Sequence, residues 1–302
     1  MLGRVSAIAA LVFAAAFSTS RPDDRGRPVI LLVHGRGLVT HDTAAVRTMW
    51  LDALTSGTKS VSKTSLIANR DVRLVWYADV LDPISGDGCS YAATDPRARR
   101  DAATDPELKS FVTMVGNFLT ALSTFVSDSG STGELRALSS DAAFLGNAHK
   151  RCAAEQRLAD AIDRASKEGR PVILVAHSLG SLVAYDYLSS RRDTGVVQQV
   201  VTIGSPLGSS ELRHLLIGGD STESFGLPSS VRSWTNVRAA ADMFAMPLAF
   251  GRDIVAETPP NEPDAHEMIG YLRSSATAGA VLSGWCSAFV GPAPAGCADI
   301  QR

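Results

Sequence analysis

The pentapeptide Ala176-His177-Ser178-Leu179-Gly180 sets a serine between the end of an apolar run and the start of a helical pattern. A serine hydroxyl is a poor nucleophile. It acts as one when it is exposed on a sharp turn, when a histidine takes its proton, and when backbone donors receive the charge that develops on the substrate oxygen. Small residues two before and two after Ser178 relieve the crowding of such a turn. The helix that starts at once aims its N–H groups back toward the serine oxygen. The chemistry of such a site is acyl transfer through a serine ester; the alternative reading is an ordinary strand-to-helix turn capped by serine.

Either reading needs elements that carry the serine. The run before it, PVILVAHS (Pro171 to Ser178), nearly repeats PVILLVHG (Pro28 to Gly35). Both are continuously apolar rather than alternating, which suits strands covered on both faces. VRLVWYADV (Val72 to Val80), VVTIGSP (Val200 to Pro206) and WTNVRAAAD (Trp234 to Asp242) are the other strand candidates. Helical patterns lie between them: Thr43 to Leu54, Glu155 to Ser166 with Leu158, Ala161, Ile162 and Ala165 on one face, and Ser181 to Ser190. This alternation predicts an α/β protein, a mostly parallel sheet with helices on both faces and its chemistry at the carboxyl ends of the strands.

One segment breaks the alternation. From about 81 to 154 no strand pattern occurs, and the stretch reads as a helical insertion over the strand ends. Its stripe of Phe111, Val115, Phe118, Leu119, Leu122 and Phe125 has the spacing of a helix face, which serves ordinary packing or lines a substrate pocket.

The first 20 residues read as a cleaved export signal: one arginine, an apolar stretch from Ala7 to Phe17, then small residues before the polar RPDDRGR. That stretch is short against the ~20 residues a membrane span requires, so a retained anchor is the lesser alternative. Residues 21–302 are expected to form one domain in a secreted or periplasmic protein. Four cysteines follow an export signal, so disulfides are the default, and three connectivities exist. Cys286 with Cys297 closes a Gly/Pro-rich loop and Cys89 with Cys152 clamps the insertion; these are the favoured pairs. No pair of cysteines has C-x-x-C spacing, so zinc is not expected. The 29 basic and 31 acidic residues are interleaved, with net charge −2, and the densest basic cluster, Arg97 to Arg100, is flanked by Asp95 and Asp101. That balance argues against nucleic acid as a partner.

With its strand, turn and helix, AHSLG resembles the nucleophile elbow of the α/β-hydrolase family, G-x-S-x-G, with Ala176 in place of the first glycine. The resemblance covers most of Pro28 to Leu272, outside the insertion. It implies an α/β-hydrolase fold and the chain order serine, acid, histidine. The histidines after Ser178 are His214 and His266; His34, His41, His149 and His177 precede or adjoin it. His214 sits in a helical pattern, whereas His266 lies in a Pro-rich loop before an apolar helix near the C-terminus, where the family places its base. Asp242, at the end of a strand candidate, is the expected acid, with Asp253 and Asp264 as rivals. The resemblance also assigns the oxyanion donors to the N–H of Leu179 and to the loop His34 to Gly37, with Arg36 N–H as the expected donor. His34 and His177 are then structural, and Ser205 and Pro206 shape the wall of the site.

The resulting expectation is a lipase- or esterase-like serine hydrolase acting on a small-molecule or lipid ester, with no cofactor or metal and with peripheral membrane contact through the insertion. The same residues would serve an acyltransferase, thioesterase or amidase. A non-catalytic hydrolase-fold module that binds lipid or protein is a third reading. No sequence feature indicates an oligomeric state.

Overall fold

A computed structural model describes residues 24–35, 42–81, 144–190, 195–209, 225–257 and 265–300, with a few helical positions between 106 and 113. The strands are β1 (Val29–Val33), β2 (Val72–Val75), β3 (Val172–His177), β4 (Val197–Ile203), β5 (Ser233–Ala239) and β6 (Arg252–Ala256). The helices used below are α1 (Thr43–Val61), α2 (Ala78–Leu81), α3 (Ala148–Lys167), α4 (Leu179–Ser189), α5 (Met268–Arg273), α6 (Ser275–Ser287) and α7 (Cys297–Ile300). The six strands form one sheet in the order β2-β1-β3-β4-β5-β6, every neighbouring pair parallel. The protein is therefore of the α/β class.

The unbroken apolar runs follow from this architecture. Alternate residues of a strand face opposite sides, so in β1 and in β3 as far as Ala176, which are covered on both faces, every position is apolar. Val29, Leu31, Val33, Val172, Leu174 and Ala176 pack beneath α3 and α4 through Leu158, Ile162, Leu182 and Val183. Their neighbours Ile30, Leu32, Ile173 and Val175 pack on the other face against Trp50 and Leu54 of α1, Leu272 of α5, and Val281 and Trp285 of α6.

Three side chains fix where helices begin. Asp42 accepts from Ala45 N–H at 2.9 Å, Asn147 from Lys150 N–H at 3.0 Å, and Ser274 from Thr277 N–H at 3.2 Å. Each satisfies one of the N–H groups that the first turn leaves without a partner.

The chain runs outward from β1 to β2, returns across β1 to form β3, and then proceeds in one direction to β6. The chain therefore crosses from β1 to β2 on one side and from β3 to β4 on the other, which makes the boundary between β1 and β3 the topological switch point, where α/β sheets hold ligands.

The sequence boundaries need several corrections. The expected strand Val72 to Val80 ends at Val75, and its last residues turn into α2. The strand ending at Asp242 stops at Ala239, leaving Asp242 three residues into the following loop. Strand β6 was not expected: RDIVA is short, carries two charges and sits exposed at the sheet edge, so burial imposes no apolar pattern on it. The expected insertion runs too far, because Ala148 to Ala154 already belong to α3. Apart from positions 106, 109, 110 and 113, the rest of it, 82–143, including every residue of the stripe from Phe111 to Phe125, lies outside the described residues, as does the expected signal.

Cys286 and Cys297 form a disulfide, joining the end of α6 to α7. Cys152 is disulfide-bonded too, and its expected partner Cys89 lies outside the described residues. Among the described residues no helix is long and apolar enough to cross a membrane.

Candidate active site

Ser178 follows β3 directly and precedes α4, at φ 49° and ψ −121°, the one non-glycine residue with positive φ among those described. Two hydrogen bonds hold this backbone: Ser178 N–H donates to Ile203 C=O at 3.1 Å, and Ser178 C=O accepts from Ser181 N–H at 2.9 Å. The turn also requires close approach from its neighbours. A Cβ on Gly180 would lie 2.4 Å from His34 O and 2.8 Å from Val33 O, and one on Gly35 would lie 2.9 Å from Ser178 Cβ. Glycine at these positions lets α4 sit against the end of β1 and lets the loop after β1 pass beside the serine.

A chain of hydroxyls braces the elbow from β4. Leu207 N–H donates to Ser205 Oγ at 3.2 Å, the Ser205 and Ser181 hydroxyls are 2.7 Å apart, and Ser181 Oγ–H donates to Ser178 C=O at 2.5 Å. Because Ser181 gives its proton to the carbonyl, Ser205 is the donor between the two hydroxyls. Ser205 is thus more than a wall residue; in sequence it is an unremarkable serine in a Gly/Pro loop.

The structure brings Ser178, His266 and Asp242 together. Ser178 Oγ lies 2.9 Å from His266 Nε2, and His266 Nδ1 lies 2.8 Å from Asp242 Oδ2. Asp242 comes from the loop after β5, and His266 from the loop after β6, just before α5. The main chain of His266 is fixed from the serine's own strand: His177 Nε2–H donates to His266 C=O at 2.7 Å. His177 therefore does more than pack beneath the elbow.

Asp242 is buried, which works against its ionisation. Hydrogen bonds from His266, from the Tyr271 hydroxyl at 2.7 Å and from Phe244 N–H at 2.9 Å outweigh burial and hold the carboxyl below its usual value. The rival Asp253 is committed elsewhere, accepting from Asn236 Nδ2 at 2.7 Å and pairing with Arg238 at 2.9 Å.

His34 is fully enclosed and acts as a strut. Its Nδ1–H donates to Gly35 C=O at 2.6 Å, its Nε2 accepts from Tyr77 N–H at 3.1 Å, and its carbonyl accepts from the Tyr77 hydroxyl. Burial lowers its pKa to about 4, only partly opposed by the Gly35 contact.

Leu179 N–H, the first amide of α4, belongs to the turn whose N–H groups have no acceptor within the helix. Arg36, the other expected donor, lies outside the described residues, as do His41, His214 and Asp264. The Phe244 ring centre lies 4.9 Å from that of His266, which gives the site one apolar neighbour from the loop after Asp242. Among the described residues no group of three His, Cys, Asp or Glu side chains is arranged to hold a metal ion.

A family described as a protein of unknown function, DUF726, matches residues 136–217, a span that includes α3, β3, the serine turn, α4 and β4. No curated protein matches the chain significantly.

Proposed function

We propose that this protein is a serine hydrolase of the α/β-hydrolase fold that cleaves carboxylic esters. The observation that carries the reading is the continuous relay from Ser178 Oγ through His266 to Asp242, with contacts of 2.9 and 2.8 Å, built on a serine turned out of ordinary backbone geometry. A serine needed only to cap a helix requires neither an imidazole on its hydroxyl nor a positive φ.

In this mechanism Ser178 Oγ attacks the acyl carbon as its proton passes to His266 Nε2. Asp242 holds Nδ1–H, fixing the tautomer, and stabilises the imidazolium that forms. The N–H groups of Leu179 and Arg36 receive the tetrahedral oxyanion. Imidazolium then protonates the leaving alcohol, and water, deprotonated by His266, hydrolyses the acyl-enzyme and restores the serine. The Phe244 ring beside His266 favours an apolar acyl group, in keeping with a small-molecule or lipid ester. Residues 1–20 support export, so a secreted or periplasmic location belongs to the same proposal.

The test is labelling of the full chain with a fluorophosphonate, located by mass spectrometry, beside a Ser178→Ala variant. Label on Ser178 that disappears in the variant supports the reading; a folded protein that takes no label overturns it and favours a binding module. Ester turnover with added alcohols, followed by product analysis, then separates hydrolysis from acyl transfer.

A further inference from the structure

Tyr271 lies five residues beyond His266, on the buried side of α5, with 3% of its surface exposed. Its hydroxyl donates to Asp242 Oδ2 at 2.7 Å, the same oxygen that faces His266 Nδ1 at 2.8 Å. The hydroxyl also accepts from Ala239 N–H, at the end of β5, at 2.8 Å. That second contact fixes the direction of the first, because with a donor on its oxygen the phenol's single proton goes to the carboxylate. It also polarises the O–H bond and strengthens the donation. The arrangement is sterically prepared: Gly204 has φ 56°, and a Cβ there would lie 3.0 Å from Tyr271 Cε2 and 3.1 Å from Asp242 Oδ2.

From this geometry we infer that Tyr271 is a positioning residue for the hydrolytic relay, tying α5 to β5 and limiting the negative charge that Asp242 presents to His266. The inference rests on the hydrolase reading for its catalytic consequence, but the contact to Asp242 stands without it. A phenolate here would face a carboxylate in a buried site; burial first, and then that charge, push the Tyr271 pKa far above its usual value, so the hydroxyl remains a donor throughout the working range. The charged and titratable groups around it are Asp242 and Arg238 from β5 and its following loop, His177 from the end of β3, and His266 and Glu267 at the entry to α5. Asp253 bears on the site through its pair with Arg238.

The distinguishing variant is Tyr271→Phe, which retains the ring and removes the donor. More negative charge then remains on Asp242 Oδ2, where it faces His266 Nδ1. The acid limb of the fluorophosphonate labelling rate is expected to move up by about half a pH unit, roughly threefold in proton affinity. The carboxyl carbon of Asp242, followed by carbon-13 NMR, titrates at higher pH as well. Placing 3,5-difluorotyrosine at 271, a stronger donor of nearly the same shape, moves both in the opposite direction. Unchanged Asp242 titrations and superimposable labelling profiles, with only a lower melting temperature in Tyr271→Phe, overturn the inference. Absence of labelling in the natural protein would refute the hydrolase reading alone, because the Asp242 titration still reports on Tyr271.

Discussion

His34 shows how a residue close to the candidate site braces it from within the core. Both ring nitrogens are occupied, Nδ1 by Gly35 C=O and Nε2 by Tyr77 N–H, so the neutral ring fits and a second proton has no place. Its folded pKa is about 4, below the 6.5 of an ordinary imidazole. The unfolded chain therefore binds the extra proton first as pH falls, and stability declines between about 6.5 and 4, by up to roughly 3 kcal/mol. Asp242 acts in a separate window. Its folded pKa is depressed, so its contribution is present above the ordinary carboxylate value and is lost only as pH falls through the lower folded value. Urea midpoints measured from pH 8 to 4 should fall for the natural protein and change less for His34→Gln, whose amide carries a donor and an acceptor but no titrating group. Equal slopes would mean that His34 does not set this dependence. None of this is visible in sequence: Tyr77 is 43 residues from His34, and only the pairing of β1 with β2 brings them together.

At the scale of elements, the serine turn was legible because everything that makes it lies within a few residues: an apolar strand, small flanking residues and an immediate helix. The meeting of Asp242 and His266 was not a local property. Chain order suggested the pair, but their distance depends on β5 and β6 lying side by side, and β6 offered no apolar pattern to read. Tyr271 was hidden for the opposite reason, since an aromatic on the buried face of a helix looks like core whatever its hydroxyl does. Gly180 illustrates how tightly these elements approach. A methyl group at 180 would meet two carbonyl oxygens of β1 and its following loop, at 2.4 and 2.8 Å, and main chain cannot swing aside as a side chain does. Gly180→Ala is therefore expected to destabilise by about 1–3 kcal/mol despite alanine's better helix propensity. Thermal unfolding should show the loss, and a melting temperature at or above that of the natural protein would show that α4 has room to move.

Across the whole molecule, folding free energies are small, about 5–15 kcal/mol for a domain, so local costs matter. The two-sided core and the Cys286–Cys297 bridge supply stability well away from the serine turn. At φ 49° a side chain is disfavoured, typically by about 1–3 kcal/mol, and glycine is the residue that sits there without strain. Ser178→Gly should accordingly melt several degrees above Ser178→Ala by calorimetry, at about 2–4 °C per kcal/mol, while neither takes the fluorophosphonate label. Equal melting temperatures would mean that the turn stores no strain. Under the proposed hydrolase function, the serine is thus a place where durability and activity favour different residues. A laboratory population selected for heat resistance alone would be drawn toward glycine at 178, preserving the architecture while discarding its hydroxyl.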